Sequence, residues 1–168
     1  MIRDIKGKGP KIAASAFVSE AAYIVGDVEI GDNSSVWPGA VIRADFGKIT
    51  IGNNTSVEDN TVIHCGGDLT IGNNNVIGHG AVVHCSRIGN NVLIGNNATI
   101  LDGTEISDYC IIGAGCLIPP NTKIPERSVV IGVPGHVKSQ LTEEQQAELS
   151  LGAASYIELA DNYKKKGL

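Results

Sequence analysis

The sequence predicts an all-β chain wound into a parallel β-helix and followed by a C-terminal α-helix. Aliphatic residues, mostly Ile and Val, recur every six positions over most of its 168 residues. The composition agrees, because 21 glycines suit many tight turns and only 4% aromatics leave a core of small branched side chains. A six-residue period fits neither a helix nor a plain strand, so each unit is a short strand plus a turn. Three units make one triangular coil of about 18 residues, and coils stack about 4.8 Å apart.

The repeat begins at Val18, is lengthened twice, and is shortened by one residue between Val83 and Ile88. Nine positions separate Ile42 from Ile51, and eight separate Ile63 from Ile71. Insertions in a solenoid tend to map to its functional face. Asparagine pairs occupy the turns, where the left-handed conformation is tolerated. The expected inward positions are Val18, Ile24, Ile30, Val36, Ile42, Ile51, Val57, Ile63, Ile71, Ile77, Val83, Ile88, Ile94, Ile100, Ile106, Ile112, Ile118, Ile124 and Val130.

The two ends of the chain differ from the repeat. Residues 1–17 read as an extended lead-in over the first coil, so we assign residues 1–137 to the β-helix domain and residues 138–168 to a helical segment that packs on it. Thr142 and Gln145 form a capping-box pattern at a helix start. We expect a short helix there, a break near Gly152, and a second helical stretch through Tyr156 to Lys164 along the prism.

Charge and composition exclude several functions. A net charge of −5 argues against nucleic acid as the main partner, because phosphate neutralisation needs clustered Lys and Arg. No apolar run approaches the roughly 20 residues that span a bilayer, and the basic N-terminus lacks the apolar stretch of a secretory signal. The four cysteines stand outside any small disulfide framework, which favours reduced thiols and a cytoplasmic location.

Stacking arithmetic brings polar residues together. The fifth, eighth and eleventh inward positions lie on one face in successive coils, and the residues that follow them are Arg43, His64 and His84. These side chains should form an outward column with one parallel-strand spacing between neighbours. Two imidazoles at that spacing can share one metal ion, since metal–nitrogen bonds are about 2.0–2.1 Å. His79 falls on the next face near a corner, so we expect it to complete the ion of an adjacent subunit in a trimer with three equal sites.

Cysteines and an aspartate lie beside this column. The first insertion contains Asp45, and the second contains residues 65–68, CGGD. Cys65 and Cys85 form a parallel column that could supply thiolate ligands or could be buried structural thiols. Three histidines already suffice for an open catalytic metal site, which favours the structural interpretation.

Three motifs carry a resemblance to a known family. Residues 37–45 (WPGAVIRAD), 55–64 (TSVEDNTVIH) and 78–84 (GHGAVVH), in this order and spacing, resemble the γ-class carbonic anhydrases, and the likeness covers nearly the whole chain. The resemblance implies a homotrimeric left-handed β-helix. It also implies zinc, iron or cobalt bound by His64, His84 and, across the interface, His79. Arg43 and Asp45 would then form a salt bridge between subunits.

The expected activity is reversible hydration of CO2 to bicarbonate by a metal-bound hydroxide. Glu58, where the family commonly has Gln, is a candidate to orient the hydroxide or accept its proton, or else a solvated or salt-bridged interface carboxylate. Tyr156 either reaches the pocket or packs the helix. The acidic proton-shuttle loop of the best-known active member is shortened here to residues 65–68, and Phe46 stands in place of an acid. The alternatives are a hexapeptide-repeat acyltransferase using acyl-CoA and a catalytically inactive metal-binding trimeric scaffold.

Overall fold

Twenty strands, most of two or three residues, form the wall of the β-helix in the computed structural model, which describes residues 1–167. In chain order they are β1 (Ile2–Arg3), β2 (Lys11–Ile12), β3 (Phe17–Val18), β4 (Tyr23–Ile30), β5 (Ser35–Val36), β6 (Val41–Ile51), β7 (Ser56–Val57), β8 (Val62–His64), β9 (Leu69–Ile71), β10 (Val76–Ile77), β11 (Val82–Val83), β12 (Arg87–Ile88), β13 (Leu93–Ile94), β14 (Thr99–Ile100), β15 (Glu105–Ile106), β16 (Ile111–Ile112), β17 (Leu117–Ile118), β18 (Lys123–Ile124), β19 (Ser128–Gly132) and β20 (Gly135–Gln140).

The strands stack in parallel and in register from coil to coil. One sheet follows the order β17-β14-β11-β8-β6-β9-β12-β15-β18, and the other follows β20-β19-β16-β13-β10-β7-β5-β3. The long strand β6 turns a corner of the prism, because its first residues pair with β8 and its last residues pair with β9. Antiparallel pairing occurs where β20 folds back on β19 and closes the last coil. The predicted all-β parallel β-helix is therefore confirmed.

The inward ladder forms the core. Every expected inward residue is buried except Val18, which is half-buried. Burial of each such isoleucine stabilises the fold by roughly 1.5–3 kcal/mol. The insertions preserve this ladder, because Ile49 pairs with Val28 on one side and with Leu69 on the other, and all three are buried. The extra residues therefore lengthen strands and shift outward side chains without opening the core.

Asparagines hold the turns, as the sequence predicts. Asn54 and Asn74 adopt φ of 56° and 57°, a left-handed conformation in which Asn is tolerated better than most residues. The Asn54 side-chain amide donates to Asn74 Oδ1 at 3.0 Å, and the Asn53 backbone N–H donates to Asn73 Oδ1 at 2.8 Å. This ladder fixes the height of each coil on the next.

One continuous helix, α1 (Glu143–Lys166), ends the described chain. The predicted capping box is present, with Thr142 and Gln145 each accepting from the other's backbone N–H. The predicted break near Gly152 is wrong, because α1 runs straight through it. A glycine costs a helix only about 1 kcal/mol relative to Ala, and packing outweighs this. Ala153 and Ala160 are buried, and α1 contacts β3 and β5.

Two further contacts place α1 on the coils. Lys164 donates through Nζ to the backbone carbonyls of Ala14 and Ser15, at 2.9 and 3.0 Å. An aromatic cluster, formed by Phe17, Trp37, Tyr156 and Tyr163, fills the space between helix and wall. The division of the chain at residue 137 stays a prediction, and β20 itself continues to Gln140. Within residues 1–167, no helix is long and apolar enough to cross a membrane.

Candidate metal centre

His64 and His84 stand on adjacent coils of one face. Strand β8 pairs with β6 so that Arg43 lies opposite His64. It pairs with β11 so that Ile63 lies opposite Val83, and His84 follows directly. His64 Nδ1 lies 3.1 Å from His84 Nε2, and the two ring centroids are 5.1 Å apart. The column of Arg43, His64 and His84 is thus where the stacking arithmetic places it.

The histidine pair fits a nitrogen-binding metal ion. Two ligands of one tetrahedral zinc ion, each bonded at about 2.0–2.1 Å, have nitrogens about 3.3 Å apart, close to the separation of this pair. His64 Nε2 is in addition the one buried side-chain polar atom within residues 1–167 that lacks a hydrogen-bond partner. Asp45 Oδ2 lies 3.2 Å from that nitrogen, but the contact lacks hydrogen-bond alignment. This nitrogen lies on the side of the ring away from His84, so the fit of the pair to an ion rests on Nδ1 of His64 and Nε2 of His84.

Carboxylates surround the pair. Asp45 Oδ2 contacts Arg43 Nη2 at 3.2 Å as well as His64. Both residues of this ion pair lie in the same chain here, whereas the resemblance implies a bridge between subunits. On the opposite side, Asp102 Oδ1 lies 2.9 Å from His84 Nδ1. Each stacked imidazole therefore has a carboxylate next to the ring nitrogen that does not face the other imidazole.

Asp102 is a residue that sequence reasoning missed. The signal was available, because Ile100 follows Val83 in the inward ladder and pairs with it in register. Extending the column by one more coil would have led to residues 101 and 102.

His79 belongs to a second group of side chains. Its Nδ1 lies 3.0 Å from Asp59 Oδ2, and its Nε2 lies 3.5 Å from Glu58 Oε2. One ligand atom from each of these three residues lies within 4.8 Å of the others, which is close enough to hold an ion. The His79 side chain is half exposed, and its charged contacts in the described chain are to these two acids and to neither His64 nor His84.

Glu58 is a buried carboxyl, only 3% exposed. It accepts a hydrogen bond from the Ser56 hydroxyl, which in turn accepts from Trp37 Nε1 at 2.9 Å. Burial raises the pKa of Glu58, and the Ser56 hydrogen bond and the nearby His79 only partly oppose this rise. Its proton is therefore held more tightly than that of an exposed glutamate.

Tyr156 lies on the same side of the molecule as Glu58. Burial raises the pKa of its hydroxyl, and the charges of Glu58 and Asp59 raise it further. Its ring belongs to the aromatic cluster, 6.4 Å from the Trp37 ring centroid. The structure thus gives Tyr156 a packing role and places it near the acids, and its catalytic role stays a prediction.

The cysteines beside the column are structural core residues. Cys65 and Cys85 are buried and free, and both belong to the main hydrophobic core. The Cys65 thiol donates to the carbonyl of Gly67 at 2.7 Å. Burial raises the pKa of Cys85 to about 12, so without a bound metal it is a thiol at neutral pH. This favours the structural alternative over thiolate ligation.

The shortened loop packs tightly beneath the corner of β6. A Cβ built on Gly47 would lie 2.2 Å from the Gly67 carbonyl carbon, so a side chain at that position has no room. The Asp68 carboxylate accepts from the Lys48 backbone N–H at 2.8 Å. Phe46 projects from the same corner, 72% exposed, with its ring centroid 5.8 Å from that of His64.

Coils built from six-residue repeats define the class of hexapeptide-repeat proteins. The family model described as bacterial transferase hexapeptide (six repeats) matches residues 9–44 and 85–120. The chain is 49% identical over 152 residues to "Probable carbonic anhydrase" of Methanocaldococcus jannaschii, which covers 89% of the chain and 96% of that protein. It is 34% identical over 167 residues to "Gamma carbonic anhydrase 2, mitochondrial" of Arabidopsis thaliana, which covers 95% of the chain. The chain belongs to the γ carbonic anhydrase family, which confirms the resemblance.

Two facts qualify the comparison. The chain spans 60% of the length of that plant relative. A solved structure with a TM-score of 0.93, titled "hexapeptide transferase family protein" from Anaplasma phagocytophilum, is 34% identical and covers 96% of this chain and 97% of its own. The same fold and a comparable identity thus occur under a transferase name.

Proposed function

We propose that this chain is a carbonic anhydrase-type metalloenzyme that interconverts CO2 and bicarbonate at a zinc, iron or cobalt ion shared between subunits of a homotrimer. The observation that carries the proposal is the histidine pair. Two imidazole nitrogens 3.1 Å apart, one from each of two stacked histidines, fit a metal site better than any purely structural role.

His64 and His84 of one copy and His79 of the next would hold the ion. His79 stands apart from the pair in its own chain, so a second copy has to supply it. Three neutral imidazoles leave one position of a tetrahedral ion open, which is the pattern of catalytic sites. When bound, zinc supplies a water-derived nucleophile at neutral pH.

Acidic side chains of the chain itself are proposed to transfer protons and to lie next to the metal-binding histidines. Glu58 is buried beside His79 and holds its proton more tightly than an exposed carboxyl, so it is a candidate to donate or accept a proton at Oε2. Asp45 contacts both Arg43 and His64, and it is a candidate for the charged group next to the metal site. Tyr156 borders the same acids, and we assign it an auxiliary role in excluding water.

A second candidate is acyl transfer from acyl-CoA. One observation favours it, namely the transferase name of a solved relative that shares the fold along nearly the whole chain. Such a reaction needs one histidine as a base with a free path to its substrate. Here His64 and His84 face each other at 3.1 Å, which occupies the nitrogen that a base would use. A third candidate is a metal-binding scaffold without activity, because the proton-shuttle loop is short.

The deciding experiment combines metal analysis with kinetics. Protein purified without chelator and without oxygen is assayed for zinc, iron and cobalt, and then for CO2 hydration by stopped flow, with His84→Ala as the control. The proposal expects stoichiometric metal and a hydration rate that His84→Ala abolishes. Stoichiometric metal without hydration indicates the scaffold. Absence of metal together with acyl-CoA turnover indicates the transferase.

A further inference from the structure

The position of Asp102 bears on which nitrogen of His84 is free to bind a ligand. Its Oδ1 lies 2.9 Å from His84 Nδ1, which is an ion-pair contact between the carboxylate and that ring nitrogen. The other ring nitrogen, Nε2, faces His64. The two nitrogens of His84 thus have different neighbours, a carboxylate on one side and an imidazole on the other.

A carboxylate changes the chemistry of an imidazole in a definite way. A neutral imidazole carries one proton, and an ionised carboxylate can only accept. Asp102 therefore favours the tautomer with the proton on Nδ1, which leaves the lone pair of Nε2 directed at the space beside His64. Histidines that bind metals are commonly oriented by such a carboxylate on the opposite nitrogen.

The backbone under Asp102 is held firmly although its side chain is 65% exposed. Strand β14 just before it pairs in register with β11, so the turn stands directly over His84. The Asp102 carbonyl accepts from the Asn121 N–H at 2.7 Å, and Gly103 follows with φ of 66°. A turn fixed by both neighbouring coils holds the carboxylate within reach of the ring.

We propose that Asp102 is a positioning residue that fixes the Nδ1–H tautomer and the ring orientation of His84, and thereby presents Nε2 to the metal. The proposal rests on the proposed function in one respect, that His84 is a ligand. It concerns neither the identity of the substrate nor the rate of its conversion.

The test uses the full-length protein and two measurements besides activity. Zinc affinity is measured by competition with a chromophoric chelator for the wild type, Asp102→Ala, Asp102→Glu and Glu105→Gln. The tautomer of His84 is read in metal-free protein from the ¹⁵N shifts of labelled histidine, assigned by comparison with His84→Ala. Glu105→Gln is the matched control, because it removes one negative charge from the next strand, where Glu105 pairs with Lys123 away from the histidines.

We expect Asp102→Ala to weaken zinc binding by about 10–100-fold and to shift His84 toward the Nε2–H tautomer. Asp102→Glu should recover most of the affinity, and Glu105→Gln should keep all of it. Circular dichroism verifies that each variant is folded. A merely structural role would leave the tautomer unchanged.

Each outcome decides something. Wild-type zinc affinity and an unchanged tautomer in Asp102→Ala overturn the proposal. A wild-type protein that binds zinc but does not hydrate CO2 refutes the proposed function and leaves the positioning role to be judged by affinity and tautomer. A wild-type protein that binds no zinc overturns both the metal site and the role of Asp102 in presenting Nε2 to it.

Discussion

Two variants that each lose the metal should restore it when they are mixed. In the proposed trimer, His79→Ala removes the ligand that a copy would give to its neighbour, and His84→Ala removes a ligand from the stacked pair. Neither homotrimer keeps an intact site. In a mixed trimer, however, an interface that takes its pair from a His79→Ala chain and its third histidine from a His84→Ala chain has all three ligands.

The expected recovery follows from symmetry. In a cyclic trimer each of the three interfaces takes the stacked pair from one copy and His79 from the next copy in a fixed direction. Whichever variant is in the majority, a mixed trimer therefore has one intact interface. Isolated mixed trimers should bind about one third of the wild-type metal, and random mixing should give about one quarter, because about three quarters of the trimers are mixed.

The assay isolates mixed trimers through two different histidine-free peptide tags, one on each co-expressed variant. Zinc per trimer is then measured by atomic emission, with size-exclusion chromatography and light scattering as the check on assembly. Full zinc content in His79→Ala alone would show that His79 is not a ligand. No recovery in mixed trimers would show that the site lies within one chain. A monomeric wild type would refute the shared site altogether.

Three further predictions concern the scaffold. Gly47→Ala should weaken metal binding, because its Cβ would meet the Gly67 backbone at 2.2 Å and displace the loop. Gly66→Ala is the control: its Cβ would enter open space, so this variant should bind metal as the wild type does. Competition with a chelator measures both affinities. Ile94→Ala should destabilise the protein by about 2–5 kcal/mol and Ile94→Val by about 0.5–1.5 kcal/mol, because the side chain is fully buried. Urea unfolding at one protein concentration measures both free energies. Equal effects would contradict the close packing of the inward side chains. Cys85 should resist iodoacetamide at pH 8, since a pKa of about 12 leaves about one thiol in 10⁴ ionised. Its reactivity should rise as the pH approaches that pKa or when the chain unfolds, and mass spectrometry measures the labelling. Rapid labelling of the folded protein at pH 8 would contradict the burial of this thiol.

The repeat could be predicted from the sequence because its signal is one-dimensional. Each inward residue is surrounded by its own neighbours in sequence and by the equivalent residues one coil above and below. Counting the period therefore places Ile63 under Val83, and it places His64 beside His84 even across insertions. The insertions could be read through because the extra residues remain paired, as Ile49 and Leu69 are.

Other features depend on contacts that no period encodes. The hydrogen bonds of Glu58 depend on Ser56, which donates to it and in turn accepts from Trp37 on the preceding coil. The helix through Gly152 depends on the wall of the prism, against which α1 lies, and local propensity alone predicted a break there. The approach of Asp102 to His84 depends on the conformation of one turn in the next coil. The identities of the two residues alone do not predict this contact.

The alternation of inward and outward side chains divides the sequence into two sets under separate constraints. Ile63 and Val83 point into the core, where the available volume limits which side chains fit. The residues directly after them, His64 and His84, point outward, where the chemistry of the site decides which side chains are useful. A substitution of His64 or His84 removes none of the buried aliphatic side chains that hold the coils together. The same core can therefore carry different reactive groups, which agrees with the transferase name of a solved structure that is 34% identical and shares the fold.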